Sequence, residues 1–443
     1  MFFTSSELRT PSYDLESRIQ NLELSFRLLY TGTMKILHFA DLHLGMENYG
    51  KLDPATGLNS RLGDFLKSFD YLIETALQEK VDLVIFAGDA FKTREPNPTY
   101  QRAFAERIKV LSDAKIPTLL LVGNHDLPNV ASKADTLAIY DTLNIPLVHV
   151  GNKAEILKIE TGHGPCQVIT LPWITKSHFL ASNQELHKAS DAEVGSQLLE
   201  KLLQVLGNLI DQLDPKIPSV LACHATIQGA TFGAERNVML GHDLVLPLGS
   251  VSDPRLNYVA LGHLHKHQVL NENPPVIYSG SIERVDFGEE KEVKGFILAD
   301  LNVGQQTHFE FRPTPARAFL SIEVSLSENE LDPTAKIVTA IKAHDVKDKI
   351  VKLKLSLPRA LNELINTRVL LEALAGANYF AGLQKDFTDA ARVKSLAEQA
   401  STETDPIEAL HKYLRTRQVG EDRSKELETK AQELLQEVLA QND

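Results

Sequence analysis

Nine polar residues with metal-binding or acid–base side chains follow the ends of five apolar runs in this sequence. The runs end at Ala40, Ala87, Val122, Ala222 and Leu261. The polar residues are Asp41, His43, Asp89, Asn124, His125, Asp126, His224, His263 and His265. A strand cannot bury such side chains without partners, so their repeated position beyond strand ends indicates one shared polar site. Carboxylate, imidazole and amide groups in one site predict a pair of divalent metal ions.

The residue types also suit the hydrolysis of a phosphate ester. Asp41 and His43 are two residues apart, so an extended backbone would turn both toward one ion. Asp89 can bridge two ions because a carboxylate has two oxygens, and Asn124 offers a neutral oxygen. Two ions about 3.5 to 4 Å apart would deprotonate a water molecule that attacks phosphorus in line.

His125 and Asp126 are the predicted catalytic residues. His125 directly follows Asn124, where it can stabilise charge on the phosphoryl oxygens or protonate the leaving oxygen. Asp126 could orient His125, as a carboxylate orients an imidazole in other catalytic pairs. Each motif alone is weak, but all five in this order at strand ends make the prediction specific.

Composition restricts the class of protein. The 443 residues suit a large catalytic domain with smaller additions, and no apolar run is long enough to span a membrane. Cys166 and Cys223 are too few for a disulfide framework, which predicts core positions and a cytoplasmic protein. The net charge of −13 argues against a generally basic nucleic-acid surface, although metal ions, a local basic patch or a basic partner could still bring phosphate to the chain.

Apolar periodicity along the chain predicts an α/β fold. Near-continuous apolar strands alternate with helices that we expect over residues 61–80, 98–114 and 194–213. Asn97 is the predicted N-cap of the second helix, with Pro98 at its first position.

Four parts are predicted along the chain. Residues 1–33 form an extension that is disordered or lies upstream of the true start, and residues 34–315 form the catalytic domain. Residues 316–381 form a small domain with strand 319–325, helix 333–344, strand 349–355 and helix 359–374. From residue 382 to 443 the chain is predicted to be helical, with one helix from Asp405-Pro406 and a last helix after Gly420. An apolar stripe on the last helix, from Leu427 to Leu439, either packs on the protein itself or docks a partner.

The motif series DLH, GD, GNHD, CHA and GHLH resembles the calcineurin-like metallophosphoesterase superfamily over residues 35–265. A narrower similarity, carried by residues 260–266, Gln268 and residues 278–289, is to the SbcD exonuclease subunit family. The resemblance implies a two-sheet sandwich flanked by helices, with a small α/β cap domain and C-terminal helices.

The resemblance also implies a role for each residue at the site. One ion would be held by Asp41, His43, Asp89 and His265, and the other by Asp89, Asn124, His224 and His263. Manganese is the expected metal, and His125 would act on the transition state. Some relatives carry a histidine where this chain has Lys92, which leaves the detailed exonuclease mechanism open.

By the same resemblance, the chain would be an exonuclease and endonuclease subunit that hydrolyses phosphodiester bonds at double-stranded DNA ends and hairpins in DNA repair. The cap domain would position DNA, and the C-terminal helices would bind an SbcC-type ATPase. A homodimer within a heterotetramer is left open.

Two other functions compete with this one. A phosphomonoesterase or cyclic-nucleotide phosphodiesterase of the same fold would need neither residues 278–289 nor the C-terminal helices. A binding subunit with a dead site would be free to lose ligands, whereas the predicted set is complete.

Several further residues have two interpretations. Arg284 could meet a DNA phosphate or pair with Glu283 or Asp286. Trp173 is expected in the core, and His267 is not expected to be a ligand. A basic cluster near the site or a solvated helix face could be formed by Lys92, Arg94, Arg102 and Lys109.

Overall fold

The computed structural model describes residues 33–128, 133–176, 179–180, 189–233, 244–388, 406–416 and 420–440. Residues 1–32, most of the predicted N-terminal extension, lie outside the described residues, as does Asp405 at the predicted start of a C-terminal helix. Among the described helices, none is long and apolar enough to cross a membrane.

A six-stranded sheet in the order β14-β13-β1-β2-β3-β4 carries the first motifs. Its strands are β1 (Met34–Phe39), β2 (Leu83–Phe86), β3 (Thr118–Leu121), β4 (Val148–Gly151), β13 (Gly295–Leu301) and β14 (His308–Pro313). The strands β1 to β4 are parallel, while β13 is antiparallel to β1 and to β14. The helices between the parallel strands are α1 (Ser60–Gln78), α2 (Pro98–Asp113) and α3 (Ala138–Thr142).

A second six-stranded sheet has the order β11-β12-β10-β7-β6-β5. Its strands are β5 (Glu155–Thr161), β6 (Gly164–Leu171), β7 (Ser219–His224), β10 (Tyr258–Gly262), β11 (Gln268–Glu272) and β12 (Pro275–Tyr278). The central strands β6, β7, β10 and β12 are parallel. Other elements nearby in sequence are α4 (Asp191–Ile210), α5 (Leu248–Val251) and the short parallel pair β8 (Thr226–Ile227) and β9 (Val245–Leu246).

The core has three apolar layers that follow from the strand pattern. Ile36 and Leu83 of the first sheet share one buried cluster with Val220 and Ala260 of the second sheet, so the two sheets pack face to face. The outer face of the first sheet is covered by α1 and α2, and that of the second by α4. This arrangement confirms the predicted two-sheet sandwich flanked by helices.

The predicted helices agree with the structure where capping signals were strong. Asn97 accepts a hydrogen bond from the Thr99 amide at the start of α2, with Pro98 in the first turn. Cys166 and Cys223 are fully buried, as expected for core thiols.

A three-stranded sheet follows in the order β15-β16-β17, with β15 at Phe319–Ser325, β16 at Ile350–Leu357 and β17 at Tyr379–Phe387. The helix α6 (Pro333–Lys342) matches the predicted helix 333–344. The prediction of one helix over 359–374 is wrong, because a 3-10 turn at Arg359–Leu364 ends at extended Ile365 and α7 (Thr367–Ala373) begins anew. Asn366 caps α7 by accepting from the Arg368 amide, a signal that marks a helix start.

The expectation of helix from residue 382 is wrong for residues 382–387. The strand β17 runs through this position, with Gly382 in left-handed backbone at φ 108°. Lys385 and Asp386 belong to a half-exposed strand at the edge of its sheet, where charged side chains remain in water.

The chain divides into two compact units, as far as it is described. The first comprises Met1–Ile322, Ala340–Leu353 and Leu371–Leu383, and the second comprises Glu323–Thr339, Lys354–Leu370 and Gln384–Asp443. The domain boundaries expected from the sequence stay predictions.

Two C-terminal helices, α8 (Pro406–Thr416) and α9 (Glu421–Ala440), pack against each other. His411 Nδ1 lies 2.6 Å from Glu428 Oε1 between them. Their bounds agree with the predicted starts at Pro406 and after Gly420. In the apolar stripe, Leu427, Ala431 and Leu435 are half-buried.

Candidate metal centre

The residues predicted as metal ligands follow the carboxyl ends of strands in both six-stranded sheets. In the first sheet, the adjacent parallel strands β1, β2 and β3 carry Asp41, His43, Asp89 and Asn124. In the second sheet, the adjacent parallel strands β7 and β10 carry His224, His263 and His265. Contacts between residues of the two sheets show that all seven share one cluster.

Left-handed backbone turns these residues inward. Asp41, His43 and Asp89 have φ angles of 53°, 47° and 64°. The extended backbone expected for Asp41 and His43 is therefore wrong, although their ligand atoms do approach the same point. Non-glycine residues rarely hold such angles, and those that do concentrate at functional sites. Gly88 is required before Asp89, because a Cβ there would lie 2.3 Å from His224 Nδ1.

One group of ligand atoms comes from Asp41, His43 and His265. These atoms all lie within 4.8 Å of one another. His43 Nε2 is 3.0 Å from His265 Nε2, so both imidazoles present the same ring atom to one point. The amide of His263 donates to both oxygens of Asp41, at 2.9 and 3.2 Å, and thereby fixes the carboxylate.

The second group is centred on Asn124. Its Oδ1 lies 3.0 Å from His224 Nε2 and 3.1 Å from His263 Nδ1. Asp89 lies between the two groups, because its Oδ2 is 3.5 Å from His224 Nε2 and 3.7 Å from His43 Nε2. That position is the one a bridging carboxylate would need.

The electrostatics and the donor set fit divalent cations. Burial raises the pKa of Asp41, and burial together with His265 holds the pKa of His43 well below its ordinary value. Burial opposes the charge of both Asp89 and His224, yet their mutual attraction keeps the pKa of Asp89 low and raises that of His224 to about 9. Buried carboxylates, imidazoles and an amide oxygen that meet in this way are ligands of divalent metal ions.

His125 lies beside the cluster and is held from two sides. Its backbone amide donates to Asp89 Oδ1 at 2.8 Å, and its Nδ1 lies 2.9 Å from the carbonyl oxygen of Lys92. The ring stands edge-on to His43, with the centroids 4.9 Å apart. Since a carbonyl oxygen only accepts, Nδ1 carries a proton and Nε2 is the ring atom left to act.

Asp126 does not orient His125, so that expectation is wrong. Its buried carboxylate accepts from the backbone amides of Asp89, Ala90 and Gly123 at 2.9 to 3.1 Å, and from Thr136 Oγ1 at 3.0 Å. It therefore ties the loop after β2 to the loop after β3. Burial and the charge of Asp89 raise the pKa of Asp126 to about 7.

Two residues near the cluster were missed by sequence reasoning. Trp173 is half-buried rather than in the core, and its ring lies 4.7 Å from that of His263. It follows β6 just as the ligands follow their strands, which was the available signal. Glu289 accepts from His265 Nδ1 at 2.7 Å. Burial alone would raise the pKa of Glu289, but this bond and the charges of His265 and Lys294 lower it to about 2.

The other ambiguous residues have structural partners. Arg284 donates to the carbonyl oxygens of Arg317 and Glu292, which favours its structural interpretation. His267 Nδ1 is 2.9 Å from the Tyr278 carbonyl oxygen, and the ring stacks on that of Phe311. Arg102 and Lys109 on α2 pair with acidic residues one turn away, as on a solvated helix face.

Comparison with known proteins places the chain in a family. The family model for calcineurin-like phosphoesterases matches residues 34–267. The SbcD subunit of the nuclease SbcCD from Escherichia coli (strain K12) is 28% identical over 352 residues, covering 73% of this chain and 83% of that protein. The same protein of Staphylococcus epidermidis is 30% identical over 301 residues, covering 66% and 72%. The DNA double-strand break repair protein Mre11 of Archaeoglobus fulgidus is 26% identical over 285 residues, covering 60% and 57%.

The matched region contains every motif of the cluster, and the calcineurin-like superfamily binds two divalent metals. The similarity to the SbcCD subunits extends over most of their length. This chain therefore belongs to the SbcD family of calcineurin-like phosphoesterases, and it is a metal-dependent phosphodiesterase.

Proposed function

We propose that this chain is a manganese-dependent nuclease that hydrolyses phosphodiester bonds at DNA ends during DNA repair, together with an SbcC-type ATPase. The observation that carries the proposal is the meeting of the ligand set from two sheets, with Asp89 Oδ2 within 3.7 Å of both His43 and His224. The relatives are named as a subunit of the nuclease SbcCD and as a DNA double-strand break repair protein, which supports DNA as the substrate and a second subunit as the partner.

In this proposal the two ions share Asp89, and each has three further ligands. The first is held by Asp41, His43, Asp89 and His265, and the second by Asp89, Asn124, His224 and His263. The carboxylate oxygens of Asp41 and Asp89 and the amide oxygen of Asn124 support manganese, an ion that such oxygen ligands suit. When bound, the two ions supply charge stabilisation for the phosphate and its displaced oxygen.

The protein's own groups orient the reaction. The amide of His125 holds Asp89 Oδ1 at 2.8 Å, which leaves Oδ2 directed between the two ligand groups. Because His125 Nδ1 keeps its proton on the Lys92 carbonyl oxygen, the ring must be an imidazolium, with a second proton on Nε2, to protonate the leaving oxygen or to donate a hydrogen bond to the phosphate. The exposed side chains of Lys92 and Arg94 lie on the loop after β2, the loop that also carries Asp89. Their positive charge can attract the phosphate backbone of DNA.

A cleavage assay with two substrates tests the proposed function. With manganese, we expect the full chain to degrade an end-labelled linear duplex and to turn over a generic phosphomonoester at least about 100-fold more slowly, a difference of about 2.7 kcal/mol in activation free energy. A chelator should abolish both reactions. Turnover of the monoester without loss of the duplex would instead establish a phosphomonoesterase.

Partner binding is tested separately by truncation. A chain that ends at Thr388 keeps β17 whole, whereas one that ends at Leu383 cuts this strand. We expect the chain ending at Thr388 to cleave a simple phosphodiester at the full rate, yet to bind the SbcC-type ATPase at least about 100-fold more weakly, because it lacks α8 and α9. Binding is measured by sedimentation of the mixed proteins, and an undiminished complex would refute the docking role of these helices.

A further inference from the structure

Glu289 lies in the segment 278–289, which carries the resemblance to the SbcD family. It ends the 3-10 turn Phe287–Glu289 and is 1% exposed. Its Oε1 accepts from His265 Nδ1 at 2.7 Å, and its Oε2 accepts from the Val285 amide at 2.8 Å. The carboxylate thus faces a predicted metal ligand with one oxygen and its own backbone segment with the other.

Lys294 holds this carboxylate from the far side. The side chain is buried, and its Nζ lies 2.9 Å from Glu289 Oε2, 2.8 Å from Glu292 Oε2 and 3.0 Å from the carbonyl oxygen of His265. An ammonium group has three N–H donors, of which two go to Glu292 Oε2 and the His265 carbonyl oxygen, while Glu289 Oε2 is held as an ion pair. Lys294 therefore fixes both the backbone of His265 and the carboxylate that holds its ring.

This arrangement selects one tautomer of His265. An ionised carboxylate only accepts hydrogen bonds, so Nδ1 of His265 carries a proton, and in the neutral ring, the form that binds a metal, Nε2 presents its lone pair. Nε2 is the atom that lies 3.0 Å from His43 Nε2. Among the described residues, no group hydrogen-bonds the other ring nitrogen of His43, Nδ1. Of the two imidazoles that face each other, those of His43 and His265, the ring of His265 is the one held by a carboxylate at its other nitrogen.

We propose that Glu289, held in place by Lys294, is a positioning residue that sets the tautomer and the orientation of His265 for metal binding. Histidine ligands of metal ions usually give their second ring N–H to such an acceptor, which also raises their basicity. The inference rests on the proposed role of His265 as a ligand. It gives the segment 278–289 a function within the metal centre rather than at the DNA.

Manganese titration of four proteins tests the inference. The proteins are the wild type, Glu289→Gln, His265→Ala and Glu283→Gln. Glu283 is the matched control, because it is a buried glutamate of the same segment that lies 3.6 Å from Arg61 and touches no predicted ligand. Free Mn²⁺ is measured by electron paramagnetic resonance, and the fold is checked by thermal unfolding without metal.

For Glu289→Gln, we expect one of two Mn²⁺ ions to bind about 10- to 100-fold more weakly while the other binds normally. Cleavage should need correspondingly more Mn²⁺ and recover at saturation, which loss of folded protein would not allow. Glu283→Gln should bind both ions as the wild type does. An equal loss of Mn²⁺ affinity in Glu283→Gln would overturn the inference, since the effect would then be one of folding.

The comparison with His265→Ala separates the inference from the proposed function. If His265→Ala loses an ion while Glu289→Gln keeps both at normal affinity, the positioning role fails and the proposed function stands. If His265→Ala also keeps both ions, the proposed ligand role of His265 fails, and the inference fails with it.

A second measurement needs no folded variant of Glu289. In the wild type without metal, ¹⁵N spectra of the histidine rings, with His265 assigned by comparison with His265→Ala, report which nitrogen carries the proton. A proton on Nδ1, whether or not Nε2 also carries one, supports the inference, and a ring protonated on Nε2 alone overturns it.

Discussion

Replacing Asp89 by asparagine should lower phosphodiester turnover by at least about 10³-fold. Stabilisation by metal ions is worth several kcal/mol, and each 1.36 kcal/mol of activation free energy is a factor of ten in rate. Asparagine has the shape of Asp89 and can still accept the amide of His125 at Oδ1. It removes the negative charge at Oδ2, the atom between His43 and His224, and with it the group proposed to hold both ions.

The opposite end of the same strand supplies a matched control. Asp82, directly before β2, is a buried aspartate that accepts from the Lys35 amide at 2.8 Å and lies 2.6 Å from His163 Nδ1. Asp82→Asn should differ from the wild type in stability alone, through these contacts, so its Mn²⁺ stoichiometry and turnover per folded molecule should be unchanged. Single-turnover cleavage and Mn²⁺ titration of both variants decide the matter, and full activity in Asp89→Asn would remove the bridging role.

The grouping of the ligands was predictable because strand order restricts where strand ends lie. Asp89 and Asn124 follow neighbouring parallel strands, so their separation of 35 positions in the chain does not keep them apart in space. His224 and His263 follow a second such pair. Sequence patterns show the strand ends, and the parallel connection places those ends at one edge.

The contacts that orient individual side chains were not predictable in the same way. Asp126 is adjacent to His125 in sequence, which suggested a catalytic pair, but its carboxylate is drawn to the unpaired amides of Asp89 and Gly123. Both amides lie beyond the ends of their strands and have no partner in the sheet, and a buried amide without a partner is costly. The need of these buried backbone amides for a hydrogen-bond acceptor therefore decided the role of Asp126.

Glu289 shows the same limitation over a longer distance. It lies 24 positions after His265, beyond β11 and β12, and only the packed structure brings its carboxylate to the imidazole. The segment 278–289 was recognisable as a motif, but its spacing gave no sign of which residue faced the metal centre. The error at β17 has a local cause, since charged residues on a half-exposed edge strand resemble those of a solvated helix.

His125→Ala should separate metal binding from chemistry. In the proposed ligand sets His125 holds neither ion, and its amide, which donates to Asp89 Oδ1, is retained in alanine. We therefore expect both Mn²⁺ ions to bind with wild-type affinity. Turnover should fall by about 10² to 10⁴-fold, the usual contribution of a positioned acid or base, because Nε2 no longer reaches the leaving oxygen.

His267→Ala is the matched control for this loss. His267 is also a half-buried histidine whose Nδ1 is bound by a backbone carbonyl oxygen, but its ring stacks on Phe311, with the centroids 4.2 Å apart. Its removal should leave turnover within about twofold of the wild type, because such a ring has no part in the proposed proton transfer. Cleavage of an activated phosphodiester, whose leaving oxygen needs no proton, adds a sharper criterion. If His125 protonates that oxygen, the activated substrate should lose much less rate in His125→Ala than DNA does, whereas equal losses would assign His125 to stabilising charge on the phosphoryl oxygens.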